Sequence, residues 1–153
     1  MLILKIAEPE LSVLMAKLFK EDTFDMLEVR GLEVITFTSF SITGTLDKTF
    51  DDSPQEGTAH CSWSRLKPFA LAIIKGKKRP RSIKLTLSHP QASQIHPNAS
   101  ALFLNLNYEN NEAHLNTAVA QRSFTLDKSV ENAWDDHINT FLKKHNIPIT
   151  THL

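Results

Sequence analysis

The chain has 153 residues, 41% hydrophobic and 22% charged, which suits one domain with its own core and excludes a disordered or fibrous protein. Seventeen basic and seventeen acidic residues give zero net charge, so overall charge gives no argument for nucleic-acid or membrane binding. The single Cys61 excludes an internal disulfide. With neither a signal peptide nor an apolar run of about 20 residues, the sequence predicts a cytoplasmic protein without membrane segments.

The first 50 residues show the patterns of a strand, a helix and further strands. Hydrophobic residues alternate where we predict strands, and they repeat at helical spacing after Pro9, which suits a first helical position. We predict a strand over 2–6, a helix over 9–20, a strand over 27–30 that ends in a hairpin turn at Gly31, and strands over 34–38 and 40–46 with a bulge at Gly44.

The middle of the chain is organised around residues 62–87, where an apolar helix leads through a basic turn into an alternating strand. The acidic segment 50–58, which contains proline and glycine, is the predicted mobile loop before it, and 58–61 adds a short edge strand. Because a proline inside a helix removes a hydrogen bond, Pro68 predicts that the regular helix begins near Lys67. The strand that follows the basic turn is predicted over 83–87.

The last third of the chain has the pattern of a long hairpin followed by a helix. Alternation predicts two arms over 102–108 and 113–120, joined by the turn ENNE, and a short strand over 124–126. A helix is predicted over 128–145 with an apolar stripe of Val130, Trp134, Ile138, Phe141 and Leu142. Pro148 bars continuation of this helix, and residues 147–153 are expected to form a loose tail.

These elements predict an α+β class with a mainly antiparallel sheet, two helices on one face and an added C-terminal helix. The order of elements, strand, helix and three strands, occurs twice and resembles one domain of a DNA sliding clamp. The resemblance is sharpest where TAHC leads into the short helix, followed by KGKKRPR, IKLTL and the LFLNLNYENNEAHLNTAV hairpin. It implies one domain over 1–146, with a clamp-like core over 1–126 and the added helix over 128–145.

Five further strings are similar to an uncharacterised family of small bacterial proteins, and this similarity spans the whole chain. The strings are DTFD, FSITGTLDK, IKGKKRP, LFLNLNYE and FTLDKSVENAWDD. The family carries no assigned activity, so the resemblance implies no functional residue.

The basic turn is the predicted nucleic-acid-binding site, because several cations within seven residues provide contacts for several phosphates. Its residues are Lys75, Lys77, Lys78, Arg79 and Arg81. The run contains no interleaved aromatic residue, so a solvated basic turn without a ligand stays open as the alternative. A clamp-like role would add the helix cations Lys17, Lys20, Arg65 and Lys67.

We predict no metal, no cofactor and no catalytic residue. The seven histidines (His60, His89, His96, His114, His137, His145 and His152) form no HExxH motif and no i, i+4 pair. His60 and Cys61 are neighbours on a predicted strand and point to opposite faces, which argues against a thiol nucleophile with its base. The acidic pairs 51–52 and 135–136 have the simpler role of surface charges.

The sequence therefore predicts a non-enzymatic domain that acts through nucleic-acid or protein-binding surfaces, with homo-oligomerisation left open. Two alternatives remain. One is a small-molecule-binding protein or enzyme whose pocket lies near the 50–61 loop and uses His60. The other is an adaptor that docks on a partner protein through the helix 128–145.

Overall fold

The computed structural model describes residues 1–50 and 59–153, and within these ranges it contains seven strands and three α-helices. The strands are β1 (Ile3–Ala7), β2 (Glu28–Ile35), β3 (Ser39–Ile42), β4 (Ser82–Ser88), β5 (Ala99–Glu109), β6 (Glu112–Gln121) and β7 (Thr151–His152). The helices are α1 (Glu10–Phe19), α2 (Trp63–Ile74) and α3 (Ser129–Lys144), with a 3-10 helix at Ala92–Gln94. None of these helices is long and apolar enough to cross a lipid bilayer.

The seven described strands form one antiparallel sheet in the order β3-β2-β4-β5-β6-β1-β7. The hairpin of β5 and β6 lies near its centre, and Asn110 and Asn111 form the predicted turn with φ values of 52° and 59°. Asparagine tolerates this left-handed conformation, which matches the twist of a two-residue hairpin. The predicted α+β class with an antiparallel sheet is therefore confirmed.

The helices cover one face of the sheet, and the opposite face is polar. Leu102, Leu104 and Leu106 of β5 are buried, whereas Asn105 and Asn107 point to the other face. The helices bury Leu11, Leu14 and Leu18 of α1, Trp63 and Ala70 of α2, and Val130, Trp134, Ile138 and Leu142 of α3. Since burial of each large apolar side chain contributes about 1.5–3 kcal/mol, this layer dominates the stability of the domain.

Helix α2 begins at Trp63, and the predicted start near Lys67 is wrong. The Ser62 hydroxyl accepts a hydrogen bond from the Arg65 backbone N–H at 3.4 Å and so caps the first turn. The indole of Trp63 is fully buried, and its N–H donates to the Leu18 carbonyl at 2.8 Å. Capping and this anchor together offset the cost of about 3 kcal/mol that Pro68 imposes inside the helix.

Gly31 lies inside a strand, and the predicted hairpin turn at this residue is wrong. Strand β2 continues through Gly31, where its pairing with β4 shifts register in a β-bulge, an irregularity that glycine favours. The turn lies at 36–38 instead, so the two predicted strands are the end of β2 and the short β3. Gly44 lies beyond β3 at φ 75°, where an added Cβ would stand 2.2 Å from the Val29 carbonyl oxygen.

Three other predicted segments differ from the structure. The residues after Asn146 are not a loose tail, because Ile147 is buried and β7 pairs with β1; a two-residue strand has too little pattern to be predicted. Residues 124–126 form an exposed loop and no strand, because their backbone finds no strand partner among the described residues. Of the predicted strand over 58–61, the described residues 59–61 show an isolated bridge between His60 and Thr45 and no regular strand. Residues 51–58 of the predicted mobile loop (50–58) lie outside the described residues.

Candidate nucleic-acid interface

The basic loop, residues 75–81, joins the end of α2 to the start of β4. All five predicted cations are exposed on this loop and line a single cleft of about 850 Å³, which we call the basic cleft; they are Lys75, Lys77, Lys78, Arg79 and Arg81. Two aromatic side chains, Phe37 and Phe40, line the same cleft. The structure thus brings the whole predicted set together and adds aromatic rings to it.

Both ends of the basic loop are fixed by backbone hydrogen bonds. The Lys75 N–H donates to the Leu71 carbonyl, and the Arg81 N–H donates to the Ile35 carbonyl, each at 2.8 Å. Ile35 is the last residue of β2, so the second bond ties the loop to the strand that leads into the Phe37 turn. The cations are therefore presented from an anchored loop next to the aromatic turn.

Four of the five loop cations have no partner in the part of the chain that the structure describes. The side chains of Lys75, Lys77, Lys78 and Arg81 make no ion pair or hydrogen bond with any residue in 1–50 or 59–153. Arg79 differs: its guanidinium donates to the Asn111 side-chain oxygen at 3.0 Å and lies 3.8 Å from the Glu8 carboxylate. Like charges so close together create a local positive potential on a chain whose net charge is zero.

The aromatic side of the cleft comes from the turn between β2 and β3. Phe37 is 93% exposed, and its ring packs edge-to-face against Phe40 with 6.0 Å between the ring centroids. An exposed phenylalanine ring is costly in water, and beside a group of cations it is typical of a surface on which bases stack. Sequence reasoning missed Phe37 because it precedes the basic run by about 40 residues. The string FTSF at a hairpin turn is the signal that could have found it.

Helix α2 supplies the remaining lining of the basic cleft through Ala72, Ile73 and Ile74. Phe69 lies one helical turn before Ile73 and is 66% exposed, so apolar surface continues along the helix from the cleft. The side-chain oxygen of Thr36, another lining residue, is buried and has no hydrogen-bond partner in the part of the chain that the structure describes. Such an unpaired hydroxyl is uncommon in folded proteins outside functional or strained sites.

The helix cations that a clamp-like role would use do not line the basic cleft. Lys17 pairs with Glu21 at 3.1 Å, and Lys67 lies 2.6 Å from the Asp25 carboxylate. Arg65 is exposed in the first turn of α2. Lys20 lies at the end of α1 beside a different cavity. Lys67 thus ties α2 to the α1–β2 connection, and Lys17 supports the end of α1; both roles are structural.

Two histidines and a tryptophan form a ring-packed group that we call the histidine–tryptophan cluster: His89, Trp134 and His137. The His137 ring stacks on Trp134 with 5.4 Å between centroids, and the His89 ring meets both edge-on at 5.7–6.0 Å. Burial lowers the pKa of both histidines, and the nearby His137 lowers the pKa of His89 further. Within 1–50 and 59–153, no three or more histidine, cysteine or acidic residues group as metal ligands would.

The remaining candidate groups have chemistry that does not favour catalysis. Burial raises the pKa of the Cys61 thiol, so the reactive thiolate is disfavoured at neutral pH. Burial, and secondarily Arg30, lowers the pKa of His60. Asp135 accepts a hydrogen bond from the Thr117 hydroxyl, whereas the acidic pair 51–52 lies outside the described residues.

Helix α3 is packed into the domain. Val130, Trp134, Ile138 and Leu142 are buried on the sheet, and the Trp134 N–H donates to the Phe103 carbonyl at 2.8 Å. Docking through this stripe would require the helix to leave the core, with the loss of several kcal/mol of burial. The geometry therefore does not favour an adaptor that uses the apolar side of α3.

A protein-family model matches residues 17–150 of the chain, and its description is a family of unknown function (DUF5721). Comparison with curated proteins gave no match, and neither did comparison with solved structures. The predicted similarity to an uncharacterised family is thereby confirmed. The resemblance to a sliding-clamp domain stays a prediction.

Proposed function

Because the chain belongs to this family of unknown function, we propose its function from its own geometry: it is a non-enzymatic domain that binds single-stranded nucleic acid through the basic cleft. The observation that carries the proposal is the presence, in one cleft, of an exposed Phe37 and four cations that have no partner among residues 1–50 and 59–153. Cations and stacking rings are the two components of sequence-tolerant single-strand binding.

The cations account for affinity. Each phosphate that a lysine or arginine neutralises releases condensed counterions, so affinity falls with salt in proportion to the number of contacts. Four contacts at about 0.7 each give an expected slope of about −2.8 for the logarithm of the association constant against the logarithm of salt concentration. A dissociation constant of about 10⁻⁶–10⁻⁴ M is expected near physiological salt.

The aromatic rings account for the preference for single strands. Base stacking on an exposed ring is worth about 1–3 kcal/mol per base, and it requires a base whose face is free. In a duplex the base faces are covered by neighbouring bases. Phe37 therefore supports a single strand as the ligand, with Phe69 as a second platform farther along α2.

The test is fluorescence anisotropy with labelled single strands of dT and rU and with a duplex of equal length, at salt concentrations from about 50 to 300 mM. We expect both single strands to bind more tightly than the duplex, with the slope given above. Absence of binding at the lowest salt would refute the proposal, and a preference for the duplex would refute its single-strand part. The two sugars distinguish DNA from RNA as the preferred ligand.

The matched variants are Lys77→Glu/Lys78→Glu and Lys128→Glu/Lys143→Glu, which change the net charge by the same amount at exposed positions. The cleft variant should weaken single-strand binding at least about tenfold, because two attractive contacts become repulsive. The control, whose residues flank the two ends of α3, should change affinity less than about twofold. Equal losses in both variants would mean that the cleft is not the binding site.

We also propose that the chain acts in the cytoplasm, in keeping with its lone cysteine. The predicted resemblance to a clamp domain adds a question of assembly, since a ring of six domains would need six copies of a one-domain chain. Sedimentation at several concentrations tests this, and a strict monomer would exclude encirclement of DNA while leaving the basic cleft as a binding surface.

The alternative pocket near residues 50–61 lies largely outside the described residues, and no observation favours it.

A further inference from the structure

A second cavity of about 340 Å³ lies between α1 and the end of α2, and we call it the α1–α2 groove. Its walls are almost entirely apolar and come from both helices and the sheet beneath; they include Met15, Phe19, Leu71, Ile74, Ile83 and Tyr108. Met15 and Phe19 are only partly buried, and Leu71 is 39% exposed. The core packing therefore stops at this groove and leaves apolar side chains facing a cavity.

Two cations and one carboxylate line the groove: Lys20, Arg79 and Glu8. Lys20, at the end of α1, lines it and makes no ion pair with any residue in 1–50 or 59–153. Arg79 also lines it, held by the Asn111 side chain at 3.0 Å, while its only acidic neighbour among the lining residues, Glu8, is 3.8 Å away. An apolar cavity with one or two cations at its rim fits a ligand that has an apolar body and an anionic end.

We propose that the α1–α2 groove binds a small amphipathic carboxylate, with its alkyl chain between the helices and its carboxylate on Lys20. The volume lies within the roughly 300–1,000 Å³ that small-molecule sites have. A carboxylate forms strong charge-assisted hydrogen bonds with lysine and arginine. Arg79 and Ile74 line both cavities, but Lys20 lines only the groove, so this inference does not rest on the proposed nucleic-acid function.

Octanoate is a suitable probe, with octanol and octylamine as ligands that keep the chain and change the head. We expect saturable octanoate binding with a dissociation constant of about 10 µM to 1 mM by calorimetry, accompanied by shifts of Leu71 and Met15 methyl signals in NMR spectra. Octanol should bind at least about fivefold more weakly, and octylamine more weakly still, because Lys20 attracts a carboxylate and repels an ammonium group. Equal affinity for octanoate and octanol would refute the role of Lys20.

Two variants test separately the apolar wall, which would hold the alkyl chain of octanoate, and the cation that would bind its carboxylate. Leu71→Glu places a repelling carboxylate at the wall and should abolish octanoate binding, whereas Phe124→Glu, at an exposed residue far along the chain, should leave it unchanged. Lys20→Gln keeps the wall and should weaken octanoate, but not octanol, about three- to tenfold. Leu71 is partly exposed, so its variant should keep the circular dichroism spectrum of the wild type.

The inference is overturned if octanoate shows no saturable binding at a few times 1 mM, or if Leu71→Glu binds it as the wild type does. Its failure is distinguishable from failure of the nucleic-acid proposal. Lys77→Glu/Lys78→Glu should lose single-strand binding and keep octanoate binding, because neither residue lines the groove. Lys20→Gln should show the reverse pattern, because Lys20 does not line the basic cleft.

Discussion

The basic cleft and the histidine–tryptophan cluster are built from similar residue types, yet their side chains have opposite environments. In the cluster, every ring packs against another ring, Trp134 is fully buried, and its N–H is paired with the Phe103 carbonyl. In the basic cleft, Phe37 is 93% exposed and touches one ring at its edge. Aromatic and basic residues thus stabilise the fold in one place and stay available to a ligand in the other.

The difference shows what distinguishes a structural group from a binding surface. Arg30 makes the same point within the sheet: its guanidinium lies 5.3 Å from the Phe103 ring centroid and donates to the Ser88 hydroxyl at 3.0 Å. A cation–π contact and a hydrogen bond already occupy that cation. Lys77 and Lys78 have neither contact within the described residues, so substitution there should affect binding without affecting folding.

Of these variants, Trp134→Ala should cause the largest change, and the change should be in the stability of the fold and not in ligand binding. Loss of a fully buried indole leaves a cavity, so the free energy of unfolding should fall by about 3–5 kcal/mol in urea denaturation. Trp134→Phe keeps most of the packing and leaves the Phe103 carbonyl without its donor, so it should cost about 1–3 kcal/mol. Equal stability of Trp134→Ala and the wild type would show that the cluster does not support the core.

Phe37→Ala should have the opposite pattern, with a change in binding and none in folding. Since stacking contributes about 1–3 kcal/mol per base, single-strand affinity should fall about five- to 150-fold in anisotropy titrations. The free energy of unfolding should stay within about 0.5 kcal/mol of the wild type, because the ring is almost fully exposed. Phe124→Ala, with an equally exposed ring outside the cleft, is the control and should keep wild-type affinity.

Lys78→Gln tests, through the salt dependence of single-strand binding, whether a cation of the basic cleft contacts a phosphate. Removal of one phosphate contact should make the slope of log affinity against log salt shallower by about 0.7. Lys143→Gln removes an exposed cation from the last turn of α3 and should leave the slope unchanged. An unchanged slope in Lys78→Gln would show that this side chain does not reach a phosphate.

The smallest expected effect is the pH dependence that the histidine–tryptophan cluster gives to stability. Burial lowers the pKa of His89 and His137 in the folded state, so below about pH 6.5 the unfolded chain binds more protons than the folded chain. The stability that both neutral rings contribute is complete above about pH 6.5 and is lost as pH falls through their folded pKa values. The melting temperature should therefore drop on acidification from about pH 7.5 to 5.

The variant His137→Gln should flatten this pH dependence, whereas His152→Gln, at an exposed residue of β7, should leave it as in the wild type. Because each variant differs from the wild type at one histidine, comparing their melting temperatures cancels the contribution of the other titrating groups to the pH dependence. A steeper drop in melting temperature on acidification in His137→Gln than in the wild type would contradict a lowered pKa of His137 in the folded state.

Periodicity predicted the elements whose signal is local. The apolar stripes of α1 and α3, the alternation in β5 and β6 and the two-asparagine turn between them are each written in consecutive residues. The start of α2 was missed because its anchor is a contact between Trp63 and Leu18, which are far apart in sequence. Gly31 was assigned to a turn because glycine favours turns and bulges alike, and only the pairing with β4 decides between them.

For the same reason, the sequence predicts the cations of the candidate site but not its aromatic residues. The cations of the basic cleft are neighbours in sequence and were found as a run, whereas Phe37 and Phe40 reach them only through the pairing of β2 with β4. The α1–α2 groove had no sequence signal, since its walls read as ordinary core residues of separate elements. Sites assembled across a sheet depend on tertiary contacts, which a single sequence does not display.

The sheet order also bears on how the protein behaves at high concentration. Among the described strands, the two at the edges are β3 and β7, of four and two residues, whereas the central β5 and β6 have 11 and 10. Short edges offer few unpaired amides to a second molecule, so the sheet is protected against edge-to-edge aggregation. Strand β7 shields β1, and a chain cut after Ile149 would present the full length of β1 as a new edge and should aggregate more readily.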